Sequence, residues 1–204
     1  MAETPGRPDD ARAARAAPTI LIVDDDRDVL RATERVLEEA GFHVLTGTRA
    51  AEAIELTYHH RPALLLLDVQ LPDGDGIDVA RQLKGDPALV DVFVALFSGT
   101  KTSSADQAKG LAEGLADGYM VRPLSSPELL ARIDAFLRIR VTQRALRESA
   151  DNFHAFFDAV ADIIVVGTPD GRIIYANKAF KKLTGHDPSA VIGKDPRILQ
   201  GPGT

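Results

Sequence analysis

Residues 63–76 read A-L-L-L-L-D-V-Q-L-P-D-G-D-G, and no other stretch narrows the choice of fold as far. The apolar run 63–67 has no polar alternation, as expected of a strand covered on both faces within a parallel sheet. Asp68 stands where that strand must stop, because Pro72 lacks a backbone donor and Gly74 and Gly76 favour a turn. A carboxylate is thereby presented at the carboxyl edge of a core strand, the edge at which open α/β sheets bind their ligands.

The flanking sequence supplies the rest of such a sheet. The run 19–23 is a second short, β-branched strand, and it ends in Asp24-Asp25-Asp26. From Asp28 the period lengthens: Val29, Thr33, Val36 and Ala40 recur at helical spacing, and Gly41 closes the helix. Residues 42–46 read as a strand, and 49–60 as a helix with Ala50, Ala53, Ile54 and Thr57 inward. Residues 77–84 form a short helix ended by Gly85 and Pro87, and 92–97 a strand ending at Ser98-Gly99. An Ala-rich helix over 104–115, a short strand over 118–121 and a helix from about Pro127 follow. Five strands alternating with five helices over short loops predict an α/β fold, a doubly wound parallel sheet covered on both faces.

The last of these helices carries Leu129, Leu130, Ile133, Phe136 and Leu137, and no breaker follows it. Leu146, Ser149, Phe153, Phe156 and Val160 continue at 3-4-3-4 spacing, a seam suited to a parallel coiled-coil homodimer. Arg138, Arg140, Arg144 and Arg147 suit a solvated linker helix instead. Further on, the runs 163–166 and 172–175 flank Thr168-Pro169-Asp170-Gly171, and Asp-Gly between apolar runs signals a hairpin. A short helix over 177–183 comes next. Two strands and a helix from about forty residues make a poor independent core, so this second unit reads as incomplete. The expected organisation is a disordered leader over 1–18, a sheet domain over 19–138, a helical linker over 139–157 and a partial α+β unit over 158–204.

Composition removes several classes of function. A net charge of -6, with no cluster of basic residues interleaved with aromatics, disfavours nucleic-acid binding. The lack of cysteine excludes disulfides, thiolate metal sites and cysteine catalysis. Residues 1–18 are rich in Ala, Arg, Asp and Pro and carry no apolar core, hence neither signal peptide nor membrane anchor. A cytoplasmic protein without a membrane partner is the expectation.

In a doubly wound sheet the first and third strands in sequence can lie side by side where the winding reverses. Asp24 and Asp25 would then face Asp68. Three carboxylates that close repel one another, and either a proton or a divalent cation relieves the repulsion. Oxygen-only donors suit Mg²⁺, and Mn²⁺ as well. Such an ion also holds phosphoryl oxygens, which makes this rim a candidate for phosphoryl transfer. Asp68 is the candidate nucleophile: with an ordinary pKa of about 3.9 it is ionised near neutral pH and needs no general base. It is also fixed by a buried strand, and positioning supplies much of such catalysis. Asp25 would ligate the metal directly, Asp24 mainly through water, and the main-chain carbonyl of Gln70 would complete the protein's share. Ser98 offers a hydroxyl to a phosphoryl oxygen, and Arg122 a cation.

Taken alone, residues 24–26 read as a helix N-cap, and Asp73 and Asp75 as turn residues. The gathering of acids, hydroxyl and cation at strand ends on one rim favours the phosphoryl site. His43, His59, His60, His154 and His186 show no ligand spacing and read as surface. Tyr119 reads as half-buried strand packing, with a second role open to it beside Ser98.

These residues resemble a known family. Val23-Asp24-Asp25-Asp26, Leu67-Asp68 with Leu71-Pro72-Asp73-Gly74-Asp75-Gly76, Phe97-Ser98-Gly99 and Gly118-Tyr119-Met120-Val121-Arg122-Pro123 resemble the receiver domain of two-component response regulators. The resemblance covers 19 to about 138 and implies the flavodoxin-like strand order 2-1-3-4-5. It implies that Asp68 accepts a phosphoryl group from a histidine kinase or histidine phosphotransfer protein with Mg²⁺ bound. It implies also a cis Arg122-Pro123 bond, and a shift of Ser98 and Tyr119 on phosphorylation that alters the face formed by the fourth helix and fifth strand. The family normally has Lys where this chain has Arg122; Arg is longer, planar and bidentate, and a pair with Asp68 is expected to survive.

Residues 158–204 resemble the first half of a PAS sensor domain through Ile173-Ile174-Tyr175-Ala176-Asn177, Leu183-Thr184-Gly185 and Ile192-Gly193-Lys194. Residues 195–201 look most like the flavin-binding photosensor branch, where the photoreactive Cys stands at the place of Pro196, so no cysteinyl-flavin adduct is expected. The resulting expectation is a non-enzymatic phosphorelay switch whose change passes through the linker helix to the PAS unit. A rival enzyme, a Mg²⁺-dependent phosphatase of haloacid-dehalogenase type, would place a second Asp two residues after the nucleophile, where this chain has Gln70. A further rival is a phosphate-independent dimerisation module.

Overall fold

A computed structural model describes residues 17–99 and 116–199 of the chain. The helix predicted over 104–115, most of the leader and the last residues of the second unit lie outside the described residues. The chain divides into two compact units, Met1–Thr142 and Gln143–Thr204.

The first unit contains strands β1 (Thr19–Val23), β2 (His43–Gly47), β3 (Leu64–Leu67), β4 (Gln70–Leu71), β5 (Gly74–Asp75), β6 (Phe93–Ser98) and β7 (Gly118–Val121). Its helices are α1 (Arg27–Glu39), α2 (Ala50–His60), α3 (Gly76–Lys84) and the beginning of α4 (Ser126–Ala159). Five strands form one sheet in the order β2-β1-β3-β6-β7, every neighbouring pair parallel. With the two-residue strands β4 and β5 set aside as a separate antiparallel hairpin, this is the predicted 2-1-3-4-5 winding.

All four leucines of β3 are fully buried, because the central strand is covered on both faces. Leu64 and Leu66 pack with Ile20, Ile22, Phe93, Leu37 and Ile133 on one side. Leu65 and Leu67 pack with Leu21, Val94, Leu96, Val79 and Leu83 on the other. Helix α1 forms where Val29, Thr33, Val36 and Ala40 recur at helical spacing, and its most buried stripe lies beside most of them. Leu30, Thr33 and Leu37 are the buried residues, while Val29, Val36 and Ala40 flank them half-buried. The stripe centres on the leucines because they remove more apolar surface from water.

The acidic loops serve the helices as well as the rim. Asp26 caps α1, its carboxylate accepting the N–H groups of Asp28 and Val29. Asp75 caps α3 through Ile77 N–H. Asp73 reaches across to α2 and accepts the N–H groups of Ala50 at 2.7 Å and Ala51 at 3.2 Å. The two predicted turn acids are therefore also helix partners. Asp117, just ahead of β7, binds Lys84 Nζ with both oxygens and accepts Val94 N–H, tying α3 to the sheet.

In the second unit, β8 (Val165–Gly167) and β9 (Ile173–Ala176) form the expected antiparallel hairpin. Gly171 takes φ +80° in its turn, a conformation that a side chain disfavours. Helices α5 (Lys178–Thr184) and α6 (Pro188–Val191) follow, and Ile173, Ala176, Phe180 and Val191 form a small core. Fully buried Asn177 is the joint of this unit. Its amide donates to the carbonyls of Phe157 and Asp162, and its side-chain oxygen accepts the N–H groups of Ile164 and Phe180. Asp158, in the last turn of α4, accepts Tyr175 Oη and the N–H of Lys178. Among the described residues, no helix is long and apolar enough to cross a membrane.

Candidate functional site

Parallel pairing of β1 with β3 places Val23 beside Leu67, so the residues that follow each strand emerge together. Asp68 N–H donates to the Val23 carbonyl at 2.8 Å, which closes that edge. Asp24 and Asp68 are buried, 1% and 6% exposed, whereas Asp25 is exposed. One carboxylate oxygen from each of Asp24, Asp25 and Asp68 lies within 4.8 Å of the other two. The sequence-predicted acids are thus gathered at one place.

Ser98 ends β6 and is buried, and its carbonyl accepts the N–H of Arg122, the first residue after β7. The Ser98 hydroxyl is hydrogen-bonded to the Tyr119 hydroxyl. The Arg122-Pro123 peptide is cis, as the resemblance implies. Arg122 reaches back over the acids: Nη1 donates to Asp24 Oδ2 at 2.5 Å and Nη2 to Asp68 Oδ2 at 3.1 Å. Its guanidinium carbon stands 5.0 Å from the centre of the Phe97 ring, and its Nε is buried without a hydrogen-bond partner. The expected pair with Asp68 is present, and the bond to Asp24 was not foreseen. Gln70, in β4, faces Asp68 through its backbone N–H.

Electrostatics follow from this arrangement. Burial raises the Asp68 pKa; Arg122 and the N–H groups of Val69 and Gln70 oppose it. Burial likewise pushes Asp24 up to about 6, opposed by the Asp26 N–H and Arg122 and reinforced by Asp68 and Asp25. One guanidinium does not neutralise three carboxylates. An oxygen-only set of this kind, with residual negative charge and one exposed member, fits a hard divalent ion such as Mg²⁺.

Sequence reasoning missed the part played by Gly76. A Cβ there would stand 2.0 Å from the Asp68 carbonyl oxygen, so the chain can fold back under the acid only without a side chain. The two glycines of the loop announce a turn, but only the path of the chain tells which of them the acid presses against.

A doubly wound five-stranded sheet with an acidic pocket at its carboxyl edge defines the class. The family model of the response regulator receiver domain matches residues 20–134, and the chain belongs to that family. A PAS domain model matches residues 151–203, so both expected resemblances are borne out. Over 124 residues the chain is 40% identical to the transcriptional regulatory protein PrrA of Mycobacterium tuberculosis, covering 61% of this chain and 52% of that protein. Over 120 residues it is 38% identical to the phosphate regulon transcriptional regulatory protein PhoB of Pseudomonas aeruginosa, covering 59% of this chain and 52% of that one. The chain spans about half the length of these curated relatives. Among solved structures, the CheY-like receiver domain protein of Methanospirillum hungatei superposes with a TM-score of 0.57 at 25% identity, covering 62% of this chain and 98% of that chain. The BeF3-activated N-terminal receiver domain of Klebsiella pneumoniae RstA gives a TM-score of 0.54 at 28% identity, covering 59% and 98%.

Proposed function

We propose that the chain is a cytoplasmic phosphorelay switch. A receiver over 19–138, behind a leader over 1–18, accepts a phosphoryl group on Asp68 from a histidine kinase or histidine phosphotransfer protein. The resulting change passes through the linker helix over 139–157 to the PAS unit over 158–204. The observation that carries this reading is the meeting of Asp24, Asp25 and Asp68 within 4.8 Å at the end of the central strands.

In the transfer, a carboxylate oxygen of Asp68 attacks phosphorus. An O–P bond forms as the N–P bond of the donor phosphohistidine breaks, and the electron pair leaves on the imidazole nitrogen, which takes up a proton. Asp68 Oδ1 accepts Val69 N–H at 2.7 Å, which holds the carboxylate in one orientation for attack. Asp25 directly, Asp24 mainly through water, Asp68 and the Gln70 carbonyl are the proposed holders of Mg²⁺, with Mn²⁺ also suited. When bound, the ion supplies positive charge to the phosphoryl oxygens. Arg122 adds a second cation. If Tyr119 donates to Ser98 Oγ, the Ser98 proton is directed at the Gly99 carbonyl 3.4 Å away and would turn from it to a phosphoryl oxygen, so phosphoryl arrival and the position of the Tyr119 ring are tied. The protein acts as a two-state switch rather than a turnover catalyst, with neither nucleic acid nor membrane as partner.

The test is incubation of the full chain with acetyl phosphate and Mg²⁺ followed by intact-mass measurement. Wild type is expected to gain one phosphoryl group and Asp68→Ala none. Equal labelling of both, or of neither, overturns the assignment.

A further inference from the structure

Arg122 would offer a phosphoryl oxygen a cation, yet both of its terminal nitrogens already bind acids of the pocket. Its two terminal nitrogens go to two different acids, Nη1 to Asp24 Oδ2 and Nη2 to Asp68 Oδ2. The remaining oxygens of those acids are held by backbone, Asp24 Oδ1 by Asp26 N–H at 3.0 Å and Asp68 Oδ1 by Val69 N–H. The guanidinium keeps this bridge although its Nε is left buried and unpartnered. The Arg122 side chain is only 19% exposed and lies over Phe97, so it is a packed part of the pocket rather than a surface arm.

We infer that Arg122 is a resident counter-ion that sets how readily a divalent cation enters the site. This rests on the reading of Asp24, Asp25 and Asp68 as a divalent-ion site. A planar fork with two parallel donors can bridge two carboxylates, whereas an ammonium on a flexible stem is a point charge that withdraws from one acid without losing the other. A metal ion and the fork compete for the same carboxylate charge. The guanidinium must therefore loosen its hold on Asp24 and Asp68 before the ion is held, and the chain binds divalent ions more weakly than it would with Lys at this position. The competition is local to Asp24 and Asp68, since Asp25 has no bond to Arg122 among the described contacts.

Isothermal titration calorimetry of the full chain with Mg²⁺ alone, without phosphodonor, tests this. Arg122→Lys keeps the charge and removes the fork, and is expected to bind Mg²⁺ about tenfold tighter than wild type, the scale of outer-shell effects on metal sites. Arg122→Gln is expected to bind at least as tightly as Arg122→Lys, and far-ultraviolet circular dichroism verifies that both are folded. Affinities for wild type and Arg122→Lys within twofold overturn the inference. So does tightening in Arg122→Gln alone, which shows a charge effect without a bridge. Asp25→Asn probes the site independently of Arg122 and is expected to weaken binding about tenfold or more. Unchanged affinity in that variant, or no binding by any of these chains, overturns the metal site itself and the inference with it.

Discussion

Asp24 sits under the carboxyl edge of the sheet with 1% of its surface exposed, and burial raises its pKa from 3.8 to about 6. The folded state then binds the proton more tightly than the unfolded state. The contribution of this group to stability is greatest below 3.8 and declines as pH rises to about 6, in total by roughly 3 kcal/mol. Asp68 is shifted in the same direction and adds to the trend. Metal-free wild type is therefore expected to lose thermal stability relative to Asp24→Asn between mildly acid and neutral pH, and added Mg²⁺ is expected to restore it at neutral pH. Melting temperatures of both proteins across that range check this; parallel profiles would remove Asp24 as the source. The acids, Ser98 and Arg122 were legible in the sequence because each ends an apolar run. The bond from Arg122 to Asp24 was not, since it joins positions 98 residues apart and depends on how far a guanidinium reaches across the rim.

Strand positions were easier to read than helix faces. An unbroken apolar run as short as that of β3, closed by Pro and Gly, is too brief for a buried helix, and β1 and β7 fall on the expected residues. On α1, however, Val29 and Val36 recur with the same period as Leu30 and Leu37, and period alone does not choose between stripes one residue apart. Packing against β1 and β3 decides for the leucines. Leu37→Ala is accordingly expected to cost about 2–5 kcal/mol, as cavity-forming core substitutions do. Val36→Ala should cost less, about 1 kcal/mol or below, because Val36 is only half-buried. Urea unfolding of the two variants settles the order, and a larger loss at Val36 would move the buried stripe onto the valines.

At the scale of the whole molecule, the 34-residue helix α4 begins in one compact unit and ends in the other. In its second part Leu146, Phe153 and Phe156 are 72%, 61% and 67% exposed, at the spacing of a coiled-coil seam. The coiled-coil homodimer expected from the sequence would cover them. Sedimentation equilibrium is expected to show a dimer for wild type and a monomer for the triple variant Leu146→Ser, Phe153→Ser, Phe156→Ser; a monomeric wild type would leave the solvated-linker reading. The order of domains was legible because the texture of the sequence changes after the helical stretch. What was hidden is how the second unit is fastened to its own entrance. Asn177 draws on the carbonyls of Phe157 and Asp162, both ahead of the first strand of that unit. An excised sensor fragment must therefore begin well upstream of Phe157. Trimmed to the hairpin, it would strand a buried amide without acceptors and should aggregate or melt rather than report on any ligand.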